Sequence, residues 1–205
     1  MRDRFLRACR REAVDRTPDL AVEATLQPVR RFGVDAAILF SDLLLPLEPL
    51  GIPFEFQAGE GPVILKPVRT ASDVAALHRF EPRQELQPVL QAIRLLRREL
   101  EGGVPLIGFA GAPFTLASYA IEGGHSTAFA LTKALMYGDP PTWHRLAGLL
   151  AEVVGDYLRA QVEAGAQALR SSIPGWVSWT SGITGSSPCR TCARSSRPSA
   201  GAACP

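Results

Sequence analysis

Asp35-Ala36-Ala37-Ile38-Leu39-Phe40-Ser41-Asp42 is an apolar run that stops at a hydroxyl and a carboxylate. It follows a helix-like segment closed by Gly33, and a short run of Ala, Ile, Leu and Phe in that setting predicts a buried parallel strand. The last residues of such a strand leave at the C-terminal edge of the sheet, where α/β folds place their ligands and catalytic groups. Asp42 is therefore the first candidate for a functional side chain. Its simpler role is local, since aspartate at a turn commonly accepts backbone N–H bonds.

On the N-terminal side, Thr17-Pro18 reads as a helix start with the hydroxyl as cap and proline at the first helical position. Val22, Leu26, Val29 and Phe32 recur at helical spacing up to Gly33, with Pro28 predicting a bend. Residues 1–16 are polar and basic and predict a short helix over the body of the fold. On the C-terminal side, Leu43 to Leu50 is too proline-rich for a regular element and predicts a loop over the sheet edge. Phe54-Glu55-Phe56 and Val63-Ile64-Leu65 around Gly59-Glu60-Gly61 predict a hairpin. Thr70 and Asp73 form a capping-box pattern.

Leu86, Val89, Leu90, Ile93 and Leu96 define an amphipathic helix stopped by Gly102-Gly103. Val104 to Ala110 is a second buried strand, which runs through Gly111-Ala112-Pro113 into a helix beginning near Phe114. Small residues at that junction let the backbone approach a ligand closely. Asp139-Pro140 opens the longest helix, with Trp143, Leu146, Leu150, Val153, Tyr157 and Leu158 on one face and Gly165 at its end. Ala166 to Leu169 starts a third strand. This alternation predicts a parallel α/β sheet or barrel.

Composition narrows the classes further. The chain has 205 residues, 46% hydrophobic and 20% charged, with a formal charge of +2. That balance gives no reason to expect nucleic acid or a membrane surface as a partner. No apolar run reaches the roughly 18 residues that span a bilayer, and no apolar signal core follows the basic N-terminus, so a cytoplasmic location is expected. The averages hide a break. All 20 acidic residues lie before position 164, whereas residues 171–205 contain no Asp, Glu, Lys or Leu. Such a segment cannot bury enough surface to offset its ordering entropy, which predicts a domain over 1–170 and a disordered tail over 171–205.

Several stretches resemble the uroporphyrinogen decarboxylase family: Leu26 to Leu45, Val104 to Ala117, Tyr119-Ala120-Ile121-Glu122-Gly123-Gly124 and Ala164 to Ala168. Together they cover about Asp19 to Ala168 almost continuously. The resemblance implies a (β/α)8 barrel, a cofactor-free and metal-free carboxy-lyase that converts acetate arms of a tetrapyrrole to methyls in haem biosynthesis, and commonly a homodimer. It implies that Asp42 is the catalytic carboxylate, Tyr119 a substrate contact, and Phe40 and Ile38 pocket neighbours. Without the motif, Tyr119 reads as a half-buried helix tyrosine bonded locally.

Three departures from the family pattern qualify this. An early arginine-bearing segment whose cations grip the substrate's carboxylates is missing, as if deleted where Arg16-Thr17-Pro18 passes into Asp19. Past Ala168 the family reads Val-Gln-Val-Phe-Asp-Ser-Trp-Val-Gly. Here a plausible coding string TTCGATTCCTGGGTGG, read one nucleotide late, gives Ser172-Ile173-Pro174-Gly175-Trp176, so a frameshift near Leu169 is expected. The second half of the barrel is also absent. The fold expected is thus an incomplete TIM barrel retaining roughly strands 2 to 4, derived from the family and inactive as it stands. The alternatives are a non-catalytic fragment that misfolds or joins an intact subunit, and a cobamide-dependent methyltransferase of the same fold. The latter class needs a His- and Cys-rich zinc site, which residues 19–168 do not contain. Cys189-Arg190-Thr191-Cys192 has metal-pair spacing but no second pair, Cys9 and Cys204 suggest no disulfide framework, and His78, His125 and His144 are scattered. Arg94, Arg97 and Arg98 read as the solvated side of a helix.

Overall fold

A proline with no N–H to lose opens the first helix, and a glycine in the left-handed region closes it. In the computed structural model, which describes residues 17–57 and 61–172, helix α1 runs Pro18–Phe32 unbroken through Pro28 and ends at Gly33, φ 60°. The Thr17 hydroxyl makes no capping bond. Its carbonyl instead accepts from the N–H groups of Leu20 and Ala21. The buried stripe is also rotated from the expected one. Ala21, Thr25 and Leu26 are buried, with Val22 and Val29 packed at the margin, while Phe32 is 70% exposed. The helix turns a small polar side chain, Thr25, into the core where a larger apolar one was expected.

Three parallel strands form the main sheet in the order β1 (Ala37–Ile38), β4 (Leu106–Gly111), β5 (Ala168–Ser172). A separate antiparallel hairpin, β2 (Phe54–Gln57) with β3 (Gly61–Ile64), matches its sequence signal. Between β1 and the hairpin the proline-rich segment makes one 3-10 turn, Leu45–Leu47. It is no surface loop in its packing, since Leu44, Leu47 and Leu50 are fully buried. The hairpin ends close the C-terminus of α5 (Pro113–Glu122). Ile64 N–H donates to the Gly123 carbonyl, Val68 N–H to Ala120 and the Arg69 Nε–H to Ile121, so carbonyls a helix end leaves orphaned are satisfied.

Helix α2 (Ala71–Ala76) carries the expected reciprocal capping box between Thr70 and Asp73. A short α3 (Pro82–Glu85) leads into α4 (Gln87–Glu99), whose buried face is Val89, Leu90, Ala92, Ile93 and Leu96. Helix α6 (Ala130–Gly138) had no clear sequence signal; apolar Phe129 stands at its N-cap in the left-handed region, and Glu122 supplies the missing acceptor to both N–H and hydroxyl of Thr132. Helix α7 (Pro140–Ala164) is the longest, and all six apolar residues predicted to face inward are buried. The helices pack on one side of the sheet, and most of the core lies between them and it. The N-terminal helix expected over 1–16, the tail from 173 and the cysteine pair lie outside the described residues.

Three carboxylates near the surface sit below their ordinary range. The Arg69 backbone N–H, with Thr70, holds Asp73 down; Arg83 does so for Glu81; Thr142, through its hydroxyl and N–H, does so for Asp139. A carboxyl lowered on folding stabilises the folded state above its unfolded pKa and loses that contribution as pH falls through the folded value. Melting temperature is therefore expected to be flat above about pH 5 and to drop below about pH 4. The double variant D73N/D139N should show a shallower acid slope in circular-dichroism melts; an unchanged slope would refute this assignment.

Candidate active site

The site is built at the C-terminal edge of the parallel sheet, and its shape follows from how soon β1 leaves. Ala37 N–H donates to Pro105 and Leu39 N–H to Ile107, after which the chain turns away from β4. Phe40 N–H donates to the Thr25 hydroxyl oxygen at 2.9 Å, and that hydroxyl donates to the Ala21 carbonyl at 2.8 Å. One buried hydroxyl thus ties the exit of β1 to the core face of α1. The short strand and the rotated stripe of α1 have the same cause.

The departure leaves the next backbone groups of β4 on that side without a strand partner. Gln161 of α7, fully buried, fills the gap: its Nε2 donates to the Phe109 carbonyl and its Oε1 accepts the Phe109 N–H, both at 2.9 Å. The side-chain amide bonds to Phe109 as a strand residue would. Gly108 is required beside it, because a Cβ there would stand 2.5 Å from the Gln161 Oε1. Neither Thr25 nor Gln161 was picked out from sequence, although a polar residue on the core face of an otherwise apolar helix was the available signal.

Asp42 follows two residues beyond Phe40. Its Oδ1 accepts the Leu44 N–H at 2.8 Å, closing a turn of the local kind anticipated for it. The carboxylate is partly exposed, so this bond fixes one oxygen without burying the group. The adjacent Leu43 carbonyl lies 2.9 Å from where a Cβ on Gly111 would stand. The Asp42-Leu43 segment therefore crosses the end of β4, and only glycine at 111 admits it. Tyr119 is half-buried, on the helix that follows β4. Because β1 and β4 are adjacent and parallel, the segments bearing Asp42 and Tyr119 both emerge from the same edge of the sheet.

Below that edge, the side of the sheet away from the helices is open. Ile38 and Phe40 are 50% and 40% exposed, while Ala37 and Leu39, which alternate with them, are buried. The stretch expected to be buried on both faces is thus buried on one. Register puts Ile107 beside Ile38 on this face, with Phe109 and Arg170 paired two residues further on. A separate groove of about 450 Å³ lies between the 3-10 turn and α4 and carries Glu48 and Glu85, but neither Asp42 nor Tyr119 lines it.

His78, His125 and His144 are all exposed. Among the described residues no three His, Cys, Asp or Glu side chains gather as a metal site, and no helix is long and apolar enough to cross a membrane. Arg97 departs from its expected role as a solvated charge. It donates to the Gln167 Oε1, which also accepts the Leu106 N–H, and its stem packs under Gly165.

Three parallel strands with helices packed on one side define an incomplete (β/α) barrel protein. A sequence model described as uroporphyrinogen decarboxylase (URO-D) matches residues 16–184, and the chain belongs to that family. A uroporphyrinogen decarboxylase of Sorangium cellulosum is 52% identical over 200 residues, covering 83% of this chain and 57% of the relative. That of Rhodococcus opacus is 56% identical over 153 residues, covering 75% and 42%. The chain thus spans little more than half the length of the curated relatives it matches. Among solved structures, a methyltransferase from Methanosarcina mazei superposes with TM-score 0.61 at 19% identity, covering 77% of this chain and 46% of that one. At that identity the likeness shows the fold alone and does not favour methyl transfer.

Replacing Thr25 with valine keeps the shape and removes both bonds, leaving the partly buried Phe40 N–H orphaned. T25V is expected to lose about 1–3 kcal/mol of unfolding free energy, and T25S to retain most of it. Q161L, which orphans two groups on Phe109, should cost at least as much. Urea titrations measure all three; T25V and T25S of equal stability would remove the hydroxyl from this role.

Proposed function

We propose that this scaffold is that of a uroporphyrinogen decarboxylase acting in the cytoplasm, and that the 205 residues by themselves do not complete the reaction. The observation that carries the reading is Asp42 on the segment crossing the end of β4, at the same edge that gives rise to the Tyr119 helix.

The chemistry asks for a carboxylate there. Protonation of the pyrrole carbon next to the acetate arm gives a cation spread over ring carbon and nitrogen. The electron pair of the arm's C–C bond then flows into the ring as CO2 leaves, and a second proton delivered to the exocyclic methylene, with loss of the first from the ring, leaves a methyl. An acid group held in advance opposite the pyrrole N–H groups stabilises that cation without reorganising as charge develops. The bond from the Leu44 N–H to Oδ1 supplies the holding. On this reading Tyr119 contacts the substrate, and Ile38 and Phe40 offer the apolar surface a macrocycle needs.

Incompleteness is supported by two observations. The Sorangium match runs over 200 residues, yet 83% of 205 residues is about 170, so about 30 positions of the relative have no counterpart within the match. This fits an internal deletion such as that read at Thr17-Pro18. The open sheet face is the second, since a barrel wall left uncovered exposes apolar side chains meant for its interior. A fragment of this kind has a surface on which to join an intact subunit.

A chimera in which Leu26 to Ala168 replaces the matching stretch of the Sorangium enzyme tests the scaffold. It is expected to convert uroporphyrinogen to coproporphyrinogen, and its D42N variant to lose at least about 100-fold in kcat. The isolated chain is expected to release no CO2 above the uncatalysed blank; release by that chain overturns the inactivity, and an inert chimera overturns the function.

A further inference from the structure

We infer that Arg170 is a carboxylate-binding residue of this chain, the cation that receives an acidic arm of a tetrapyrrole laid against the open sheet face. The inference rests on the proposed function and adds to it a residue that no resemblance supplies. Where the family pattern carries a glutamine, the chain carries an arginine.

The placement comes from register. Arg170 is the partner of Phe109 across β4 and β5, so the two side chains leave the same face of the sheet. That face is the one away from the helices, because Gly108 and Ala110 on either side of Phe109 turn inward: Gly108 packs on Gln161, and Ala110 is 1% exposed. Phe40 is exposed on the same side of β1. Phe109 and Arg170 are thus neighbours on that face, about 5 Å apart at ordinary strand spacing, and exposed Phe40 lies two residues past Ile38 of β1. Arg170 itself is exposed, and among the described residues it makes no ion pair.

Such a row suits a flat apolar ligand with anionic edges. The rings cover the macrocycle, and the planar fork of guanidinium matches a carboxylate bidentately in a way a lysine does not. Among the described residues, Arg79 and Arg83 are engaged with acids on α7, and Arg97 is bound to Gln167. The groove beside α4, with its two glutamates, would repel the same ligand.

Uroporphyrin, the stable oxidised octacarboxylate, serves as the probe, with binding to the full 205-residue chain read by fluorescence quenching. R170Q is expected to weaken binding about tenfold or more and R170K to recover only part of it, while R98Q, an exposed arginine on the outer helix α4, leaves it unchanged. Far-UV melts of all variants confirm equal folding, as the site is an exposed strand position. Binding by the parent chain with R170Q unaffected overturns the inference and leaves the proposed function standing. Equal losses in R170Q and R98Q overturn it in favour of general charge. No binding by the parent chain overturns it together with the open face as a tetrapyrrole surface.

Discussion

Two buried polar side chains hold the end of a strand that the backbone alone does not. A parallel strand earns stability from its ladder of backbone bonds, and β1 makes only enough of them to reach Leu39. Beyond it, Thr25 accepts the Phe40 N–H and Gln161 serves both groups of Phe109. Each bond is worth little net, but leaving any of these buried groups unmade costs the full desolvation penalty. That asymmetry lets the chain leave the sheet early, at a defined place, and the early exit is what carries Asp42 over the end of β4.

The same exit makes the sheet one-sided. Helices α1, α4 and α7 cover one face with close-packed leucine, isoleucine and alanine, and the loop from Leu44 to Leu50 closes that core from β1's side. A parallel sheet is ordinarily covered on both faces. Here the second face keeps isoleucine and phenylalanine in solvent, on the side that would be the inner wall of a closed barrel. Stability and binding surface are therefore separated: the helical side can fold the domain, and the open side remains available to a ligand or to a further part of a barrel.

Much of this was legible in the sequence, and the parts that were not share a cause. The proline starts, the glycine stops at 33 and 165, the Thr70-Asp73 box and the apolar faces of α4 and α7 are local signals, and local signals survive without knowledge of the neighbours. Asp42 was legible as a strand-end carboxylate, and its bond to Leu44 is the local role foreseen for it. The reading failed where a side chain answers a distant backbone group. Thr25 and Phe40 are 15 residues apart, and Gln161 and Phe109 are 52 apart. Nothing in hydropathy favours a threonine over Phe32 for the core, yet the hydroxyl is needed inward and the phenylalanine is left in solvent. Helix α6 was missed for the same reason, since its cap is Glu122 on another helix.

Strand β5 shows the converse, a strand whose own sequence argues weakly for it. Ala168 to Ser171 are exposed, and Arg-Ser-Ser has little preference for a sheet. The partner decides instead. β4 offers its free side along five residues from Ile107 to Gly111, and β5 pairs with each of them in turn. The pairing finishes where β4 finishes, with the Ser172 carbonyl accepting both the Ala112 N–H and the Thr115 hydroxyl at the start of α5. Backbone pairing asks only that each residue have an N–H and a carbonyl, so a change of side chains after Leu169 is tolerated by the ladder. What the side chains decide is the chemistry presented on the open face, where Arg170 stands paired with Phe109.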